Sequence, residues 1–234
     1  MKILVVDATA TKASAALLQD EKVIGEFYID TAMTHSQTLV PMVDMLLSTT
    51  RTDLADVDLF AVTCGPGSFT GLRIGVSAVK GLALGQDKPC FGVSTLEAIA
   101  YGLRGQECIA CAVMDARCKQ VYNAFFEVDG EEIRRLTPDA ALPIDEVAVM
   151  MESYGDHRVI LVGDGADLCA AAIEGAELAP SHIRYQHASS AALSALAHIR
   201  AGEQPVDAGA LQLSYLRLPQ AQRERQKRLE AQNR

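Results

Sequence analysis

Tryptophan is absent from the 234-residue sequence, and all aromatic residues together make up only 5% of it. Aromatic rings are the platforms on which single-stranded nucleic acids stack their bases. Basic residues are also scarce, because 21 Lys and Arg stand against 30 Asp and Glu and leave a net charge of −9. Most of such a surface repels a phosphate backbone. These shortages argue against a protein that binds nucleic acid by itself.

Long apolar runs are missing as well. The N-terminal run extends only from Ile3 to Val6 before Asp7 ends it, whereas a secretory signal needs about 7 to 15 apolar residues. No stretch approaches the roughly 20 apolar residues that cross a bilayer. We therefore expect a cytoplasmic protein with no membrane association.

The cysteine pattern does not indicate a metal site. Disulfides are not expected in a reducing compartment. Cys108 and Cys111 form a CxxC motif without the second CxxC that a zinc ribbon requires. On a strand, a spacing of three places them on opposite faces. We expect them to be buried thiols, and we expect no metal and no cofactor.

The composition indicates a packed globular protein, since 49% of the residues are apolar and 22% are charged. The first half predicts three strands (ILVV, SAALL and VIGEFYI), followed by helices over 36–49, 69–84 and 95–103 that alternate with strands over 59–63 and 91–93. This βββαβαβα order is typical of one α/β lobe.

The same order begins again near residue 108, with IACAVM, VYNAFFEV and EIRRLT as three strands. A helix over 144–154, the strand VILVG and a helix over 166–173 follow, and a last helix spans 190–200. An offset of 108 residues places Asp7-Ala8 on Asp115-Ala116, so we infer an internal duplication. The predicted units are a lobe over 1–104 joined by the helix near 188–202, a smaller lobe over 105–187, and a basic tail over 217–234.

Two α/β lobes that each open with a β-meander resemble the duplicated, ribonuclease H-like fold of actin, Hsp70 and the sugar kinases. The resemblance implies that the first turns of the two lobes face each other across a nucleotide cleft. Here that cleft is expected to be vestigial, because the second turn, DARCKQV, has no glycine through which backbone amides could approach a phosphate. Its candidate residues are Asp7, Thr9, Asp115, Gly163 and Gly165.

The glycine-rich segment CGPGSFTGLRIG lies between a predicted strand and helix, where phosphate-binding loops occur. Its spacing does not match such a loop. Gly71 is followed by Leu72 and Arg73 instead of the Lys and Ser or Thr of a Walker loop, and the glycines do not fit GxGxxG. Ser68 does not lie in a GxSxG elbow. The hydroxyl of Thr70 is placed to cap the helix.

The helix that follows is apolar on nearly every side, which indicates that more than one neighbour covers it. Two explanations remain open: burial within its own lobe, and a partner interface shared with the preceding helix. The candidate interface residues are Leu39, Met42, Val43, Leu46, Phe69, Gly71, Leu72, Gly75, Val76 and Val79.

Four segments carry a family resemblance: KILVVDATATKASAALL, GPGSFTGLRIGVSAVKGLALG with GVSTLEAIA, DARCKQVYNAFFE, and the late YLR. They are similar to the bacterial TsaB (YeaZ) proteins. The resemblance implies a catalytically silent relative of TsaD that supports TsaD in forming N6-threonylcarbamoyladenosine beside the anticodon of tRNAs reading ANN codons. It also implies a heterodimer with TsaD and an association with the ATPase TsaE through the complex. We further expect a homodimer when the chain is isolated, because an exposed apolar helix face in a soluble protein tends to pair, and only indirect contact with tRNA.

The histidines, at positions 35, 157, 182, 187 and 198, agree with catalytic silence, because no two of them form the HxxxH metal motif of the TsaD branch. We expect His35 to start a helix. The tail, RLPQAQRERQKRLEAQNR, is either a solvated helix or a surface that faces tRNA or a partner. The alternative function is a small ATP-dependent phosphotransferase or ATPase, in which Asp7 and Asp115 would organise a metal.

Overall fold

The computed structural model describes residues 1–31 and 33–217, so the predicted tail beyond Arg217 lies outside the described residues. A five-stranded sheet forms the first lobe, in the order β3-β2-β1-β4-β5. The strands β1, β2 and β3 form an antiparallel meander, and β4 and β5 run parallel to β1. Their bounds are β1 Lys2–Asp7, β2 Ala13–Gln19, β3 Lys22–Ile29, β4 Leu59–Gly65 and β5 Cys90–Ser94.

The second sheet repeats this arrangement in the order β11-β10-β6-β7-β8, with β9 paired to β7. Its strands are β6 Gln106–Asp115, β7 Gln120–Gly130, β8 Glu132–Arg135, β9 Ala140–Pro143, β10 Val159–Val162 and β11 Glu177–Leu178. Asp7 ends β1 and Asp115 ends β6, and in each lobe the next parallel strand lies beside that first strand. The predicted duplication is confirmed.

Among the described residues, six α-helices cover the faces of the two sheets. They are α1 His35–Thr50, α2 Phe69–Gln86, α3 Thr95–Ala100, α4 Ile144–Glu152, α5 Ala166–Ala170 and α6 Ala188–Arg200. The helices α1 and α2 pack on one face of the first sheet and α6 packs on the other. On the second sheet, α3 covers one face, and α4 and α5 cover the other. The expected boundary at residue 104 falls between the last strand of the first sheet and the first strand of the second. Helix α3 precedes this boundary in the sequence but packs on the second sheet.

The short elements differ most from the sequence-based expectations. The strands β9 and β11 were not predicted, because β9 has four residues and β11 has two, too few for a recognisable alternation. The helix predicted over 95–103 becomes α3 followed by a 3₁₀ turn at Tyr101–Leu103. None of the described helices combines the length and the apolarity that crossing a membrane requires.

Two local predictions can be compared directly with the structure. Cys108 and Cys111 lie on opposite faces of β6, in different apolar clusters, as the strand spacing predicted. The prediction that Thr70 caps α2 is wrong: Ser68 is the N-cap, and its side chain accepts a hydrogen bond from the Gly71 amide at 3.3 Å. Thr70 lies one residue inside the helix, too late to act as the cap.

Candidate functional site

A cleft of about 710 Å³ opens between the two lobes, at the ends of β1 and β6. The turn after each of these strands lines one side of it. The glycine-rich segment before α2 and the chain around Tyr215 complete the walls. The lining residues include Thr9, Thr11, Lys12, Gly67, Ser68, Phe69, Asp115, Arg117, Tyr122, Asp164, Tyr215 and Arg217.

The first turn holds its acid behind the cleft surface. Asp7 is only 1% exposed, and its carboxylate accepts hydrogen bonds from the amide and the hydroxyl of Thr9, both at 3.0 Å. Burial raises the pKa of Asp7. Thr9 therefore lines the cleft, whereas Asp7 braces the turn beneath it.

The second turn presents its acid to the cleft. Asp115 keeps about a third of its side chain exposed and accepts a hydrogen bond from the Arg117 amide at 2.7 Å. Arg117, Cys118 and Lys119 all have left-handed backbone conformations, with φ of 66°, 56° and 56°. The turn therefore adopts a conformation that glycine favours, although it contains no glycine.

The glycine-rich segment of the first lobe packs on the first turn. A Cβ atom built on Gly71 would lie 1.9 Å from the Ala8 carbonyl oxygen, and one built on Gly67 would lie 2.7 Å from the Thr9 carbonyl oxygen. The amide of Ser68 donates a 2.7 Å hydrogen bond to that Thr9 oxygen. These glycines therefore make room for the chain's own backbone.

The second glycine pair, Gly163 and Gly165, does the same in the second lobe. A Cβ atom on Gly163, whose φ is 109°, would lie 2.0 Å from the Val113 carbonyl oxygen, and one on Gly165 would lie 2.9 Å from the Met114 carbonyl carbon. The amide of Gly165 donates to the Val113 carbonyl at 3.1 Å. The two glycines lie behind the cleft, and Asp164 between them lines it.

Asp164 and Lys12 are two charged cleft residues that the sequence analysis did not single out. Burial raises the pKa of Asp164 to about 6, and the Gln186 amide donates to its carboxylate at 2.8 Å. The ammonium of Lys12 lies 3.3 Å from Asp30 and 4.1 Å from the centre of the Tyr185 ring. The cleft thus contains both signs of charge, and its lysine has anionic and aromatic neighbours of its own.

The described residues contain no group of three or more His, Cys, Asp or Glu side chains that could hold a metal ion. His35 starts α1, as expected, and its Nε2 lies 2.7 Å from the Ala10 carbonyl oxygen.

One histidine of α6 lies beside a glutamate and a serine, the residue types of a nucleophilic site. His198 Nε2 is 2.6 Å from Glu97, and the hydroxyl of Ser194 donates to the same Glu97 oxygen at 3.2 Å. The hydrogen bond to Glu97 raises the pKa of His198. The serine therefore donates to the carboxylate, and the imidazole is biased toward its protonated form, which cannot act as a base.

A second cluster has the same arrangement. The hydroxyl of Ser189 donates to Glu26 at 2.9 Å, and His187 Nδ1 lies 3.5 Å from that carboxylate. The hydrogen bond to Glu26 also raises the pKa of His187. In both clusters the serine lacks the hydroxyl-to-imidazole contact that activates a nucleophile.

The candidate interface residues lie mainly inside the first lobe. Nine of the ten are buried in α1 and α2, and Phe69 is partly exposed at the start of α2. A Cβ atom on Gly75 would lie 3.4 Å from Val62 and 3.6 Å from Ala8, so this glycine faces the lobe's own sheet and first turn. At this position the helix is packed within its own lobe. The outward neighbours include Val40 and Met45, which are 52% and 57% exposed.

Sequence reasoning also missed Arg117, Tyr215 and Arg217 as cleft residues. Tyr215 and Arg217 belong to the late YLR segment, which is one of the segments that resemble the TsaB proteins. The segment lies about 100 residues or more from either turn in the sequence, so its return to the turns could not be predicted.

The comparisons with known proteins agree with this geometry. The family model described as "TsaD: tRNA N6-adenosine threonylcarbamoyltransferase" matches residues 29–223. The protein named "tRNA threonylcarbamoyladenosine biosynthesis protein TsaB" from Escherichia coli K12 is 40% identical over 131 residues, which cover 55% of this chain and 56% of that protein. Its namesake from Bacillus subtilis 168 is 29% identical over 95% of this chain and 96% of its own length.

The chain thus spans about half of the E. coli relative and nearly all of the B. subtilis one. A crystal structure from Pseudomonas aeruginosa, of an uncharacterized protein with similarity to peptidase YEAZ, superposes with a TM-score of 0.81 at 30% identity. That match covers 92% of this chain and 99% of the other. With its duplicated actin-like fold and its match to the TsaD model, the chain belongs to the TsaB (YeaZ) proteins of that family.

Proposed function

We propose that this chain is a non-catalytic subunit that supports a TsaD enzyme in forming N6-threonylcarbamoyladenosine beside the anticodon of tRNAs reading ANN codons. In this proposal it forms a heterodimer with TsaD, meets the ATPase TsaE through the complex, and contacts tRNA only indirectly. It works in the cytoplasm and forms a homodimer when isolated. The names of the E. coli and B. subtilis relatives support the pathway.

The packing of the glycines is the observation that carries the non-catalytic assignment. In a phosphate-binding loop, glycines let backbone amides approach the ligand. Here the space beside Gly71 is occupied by the Ala8 carbonyl, and the space beside Gly163 by the Val113 carbonyl. The glycines of both loops pack against the ends of β1 and β6. These loops therefore do not offer the cleft a set of backbone amides that could surround a phosphate.

The charged clusters support the same assignment. The serines of the two His-Glu clusters donate to carboxylates, and the histidines are biased toward their charged forms. Neither cluster provides the activated hydroxyl that a peptidase of the serine type requires.

The proposed partner surface is the outward side of α1 and the start of α2. Val40 and Met45 are large apolar side chains that are more than half exposed on α1, and Phe69 is partly exposed on α2. Large apolar side chains that are exposed on a helix are available for contacts with another protein. The buried candidate residues beneath them, such as Met42 and Val76, would fix the position of the two helices.

Reconstitution tests the proposed activity. Purified TsaD, TsaE, the threonylcarbamoyl donor and a tRNA that reads ANN codons are incubated with and without this chain, and modified adenosine is measured by mass spectrometry. We expect product only when TsaD and this chain are both present. Product formed by this chain without TsaD would contradict the non-catalytic assignment.

The proposed surface is tested by sedimentation of Met45→Glu. The substitution should weaken both the homodimer and the TsaD complex without changing the melting temperature, because the side chain is 57% exposed. Val149→Glu is the matched control, since Val149 is 66% exposed on α4 of the other lobe. Equal association of both variants with TsaD would place the interface elsewhere.

The alternative, a small ATP-dependent phosphotransferase or ATPase, is favoured by the acids Asp115 and Asp164 and by Lys12 in the cleft. Calorimetric titration of the isolated chain with ATP and magnesium distinguishes the two functions. Micromolar binding that is lost in Asp164→Asn would support the alternative, and the absence of heat would support the scaffold.

A further inference from the structure

The segment Ser214–Arg217 crosses the mouth of the cleft, and all four of its residues line it. We call it the strap. It begins on the first lobe, where the Ser214 amide donates to the Cys64 carbonyl at 2.8 Å. Gly65, with φ of 128°, lies directly beneath it, and a Cβ atom there would be 2.1 Å from the Ser214 carbonyl oxygen. The start of the strap is therefore fixed to the end of β4.

A second attachment lies on the start of α2. The Tyr215 ring is 5.0 Å from the Phe69 ring, and the Tyr215 hydroxyl accepts a hydrogen bond from Arg73 Nε at 3.2 Å. The Arg73 guanidinium also lies 3.9 Å from the centre of the Phe69 ring. Aromatic and cation–π contacts hold this part of the strap to the first lobe.

The end of the strap reaches the other lobe. Arg217 Nη1 donates to the Ala116 carbonyl at 2.6 Å, across the cleft from Phe69. Ala116 opens the second turn, where its amide donates to the Gln120 carbonyl at 3.0 Å. The acceptor is thus held in place, and the donor carries a full charge, which makes this a strong type of hydrogen bond.

A separate polar network links the lobes through Arg135 of β8. Its guanidinium donates to Ser94 at 3.0 Å and to Glu97 at 3.2 Å, and the Ser94 hydroxyl donates to Asp139 at 3.0 Å. None of these residues lines the cleft. The lobes would therefore remain joined if the contact between the strap and the second lobe were broken.

We propose that the strap is a latch, in which the contact from Arg217 to Ala116 holds the lobes closed over the cleft and its release lets them separate at the second turn. Opening would expose Asp115 and Asp164, which face the space that the strap borders. If one charged hydrogen bond holds the closed form, any partner that binds Arg217 or displaces Tyr215 shifts the equilibrium toward the open form.

Pulsed electron spin resonance on the full chain tests this latch. Spin labels are attached at Ser77→Cys on α2 and Glu146→Cys on α4, both exposed, in a Cys118→Ser background. Cys118 is the exposed cysteine among the described residues, and the other five are buried. Labelled protein is diluted with unlabelled protein to remove distances between copies, and each variant is first checked by a thermal melt.

Arg217→Ala should add a longer distance to the distribution, with the ratio of open to closed molecules rising roughly tenfold or more, as for a lost charged hydrogen bond. Tyr215→Ala should produce the same shift by loosening the other end. The matched control is Arg134→Ala, because Arg134 pairs with Glu127 inside the second lobe. Distributions that do not change in either strap variant, or that change equally in the control, would overturn the latch. The isolated chain suffices, so the result does not depend on TsaD.

Discussion

The two turns that face the cleft stand at equivalent places of a duplicated fold, yet they treat their acids differently. Asp7 is buried and accepts hydrogen bonds from the amide and hydroxyl of Thr9. Asp115 remains about one-third exposed and accepts a hydrogen bond from the Arg117 amide. The first turn thus buries its acid beneath the cleft, whereas the second keeps its acid at the surface.

The contrast extends to the loops that support these turns. In the first lobe, Gly67 and Gly71 pack on the turn itself, and an 18-residue helix follows. In the second lobe, Gly163 and Gly165 pack on the end of β6, and the helix that follows has five residues. Duplicated strands can therefore share a topology while the acid at the end of one strand is buried and the acid at the end of the other faces the cleft.

The largest expected effect comes from filling the space beside the first turn. Gly71→Ala places a Cβ atom 1.9 Å from the Ala8 carbonyl, so that helix α2 or the turn must move. We expect a loss of about 3 kcal/mol or more in the free energy of unfolding, measured with urea. Gly81→Ala is the matched control in the same helix, because a Cβ atom there would have no described atom within 4 Å.

The control should be neutral or stabilising by up to about 1 kcal/mol, because alanine restricts the unfolded chain and favours helix. If Gly71→Ala were as stable as Gly81→Ala, the close packing of α2 on the first turn would be contradicted.

Replacing the acid of each turn by alanine should affect stability differently. Asp7→Ala should cost about 1 to 3 kcal/mol, because the amide and hydroxyl of Thr9 lose a buried acceptor. Asp115→Ala should cost less than about 1 kcal/mol, since water can replace the exposed acceptor. Asp7→Asn should retain most of the stability, because an amide oxygen can accept the same bonds. Equal losses in both alanine variants, by urea unfolding at pH 7, would remove the distinction between the turns.

Asp164 should produce a smaller, pH-dependent effect in the second lobe. Its folded pKa of about 6 lies above the ordinary value of 3.8, so the folded state favours the protonated acid. That contribution is complete below pH 3.8 and is lost as the pH rises through about 6. Asp164→Asn should therefore match the parent chain near pH 4 and exceed its stability by roughly 1 to 2 kcal/mol at pH 7. A difference that is constant with pH would show that burial does not shift the pKa of this carboxyl group.

The sequence predicted the larger elements of this fold because their periodicity is strong. The apolar stripe at Leu39, Met42, Val43 and Leu46 indicated α1, and the repeated Asp-Ala pair indicated the duplication. The two-residue strand β11 carries no periodic signal of its own. It forms because its neighbour β10 offers an open edge.

The cleft was harder to predict, since its composition depends on long-range contacts. Asp7 and Asp115 look equivalent in the sequence, and only the packing around them shows that one is buried. The apolar residues of α1 and α2 suggested an interface. The same apolar residue types occur where a helix faces a partner and where it faces its own sheet, so the sequence does not distinguish the two. The return of Arg217 to Ala116, 101 residues away, leaves no local signal.

The proposal that the cleft does no chemistry can be tested by reconstituting tRNA modification with the double variant Asp115→Asn/Asp164→Asn. Both substitutions remove charge from the cleft and leave the proposed partner surface on α1 unchanged. We expect TsaD supplied with this variant to form N6-threonylcarbamoyladenosine at the rate seen with the parent chain. A loss of about 100-fold or more with unchanged binding to TsaD, the range expected for a lost catalytic group, would show that the cleft takes part in the chemistry.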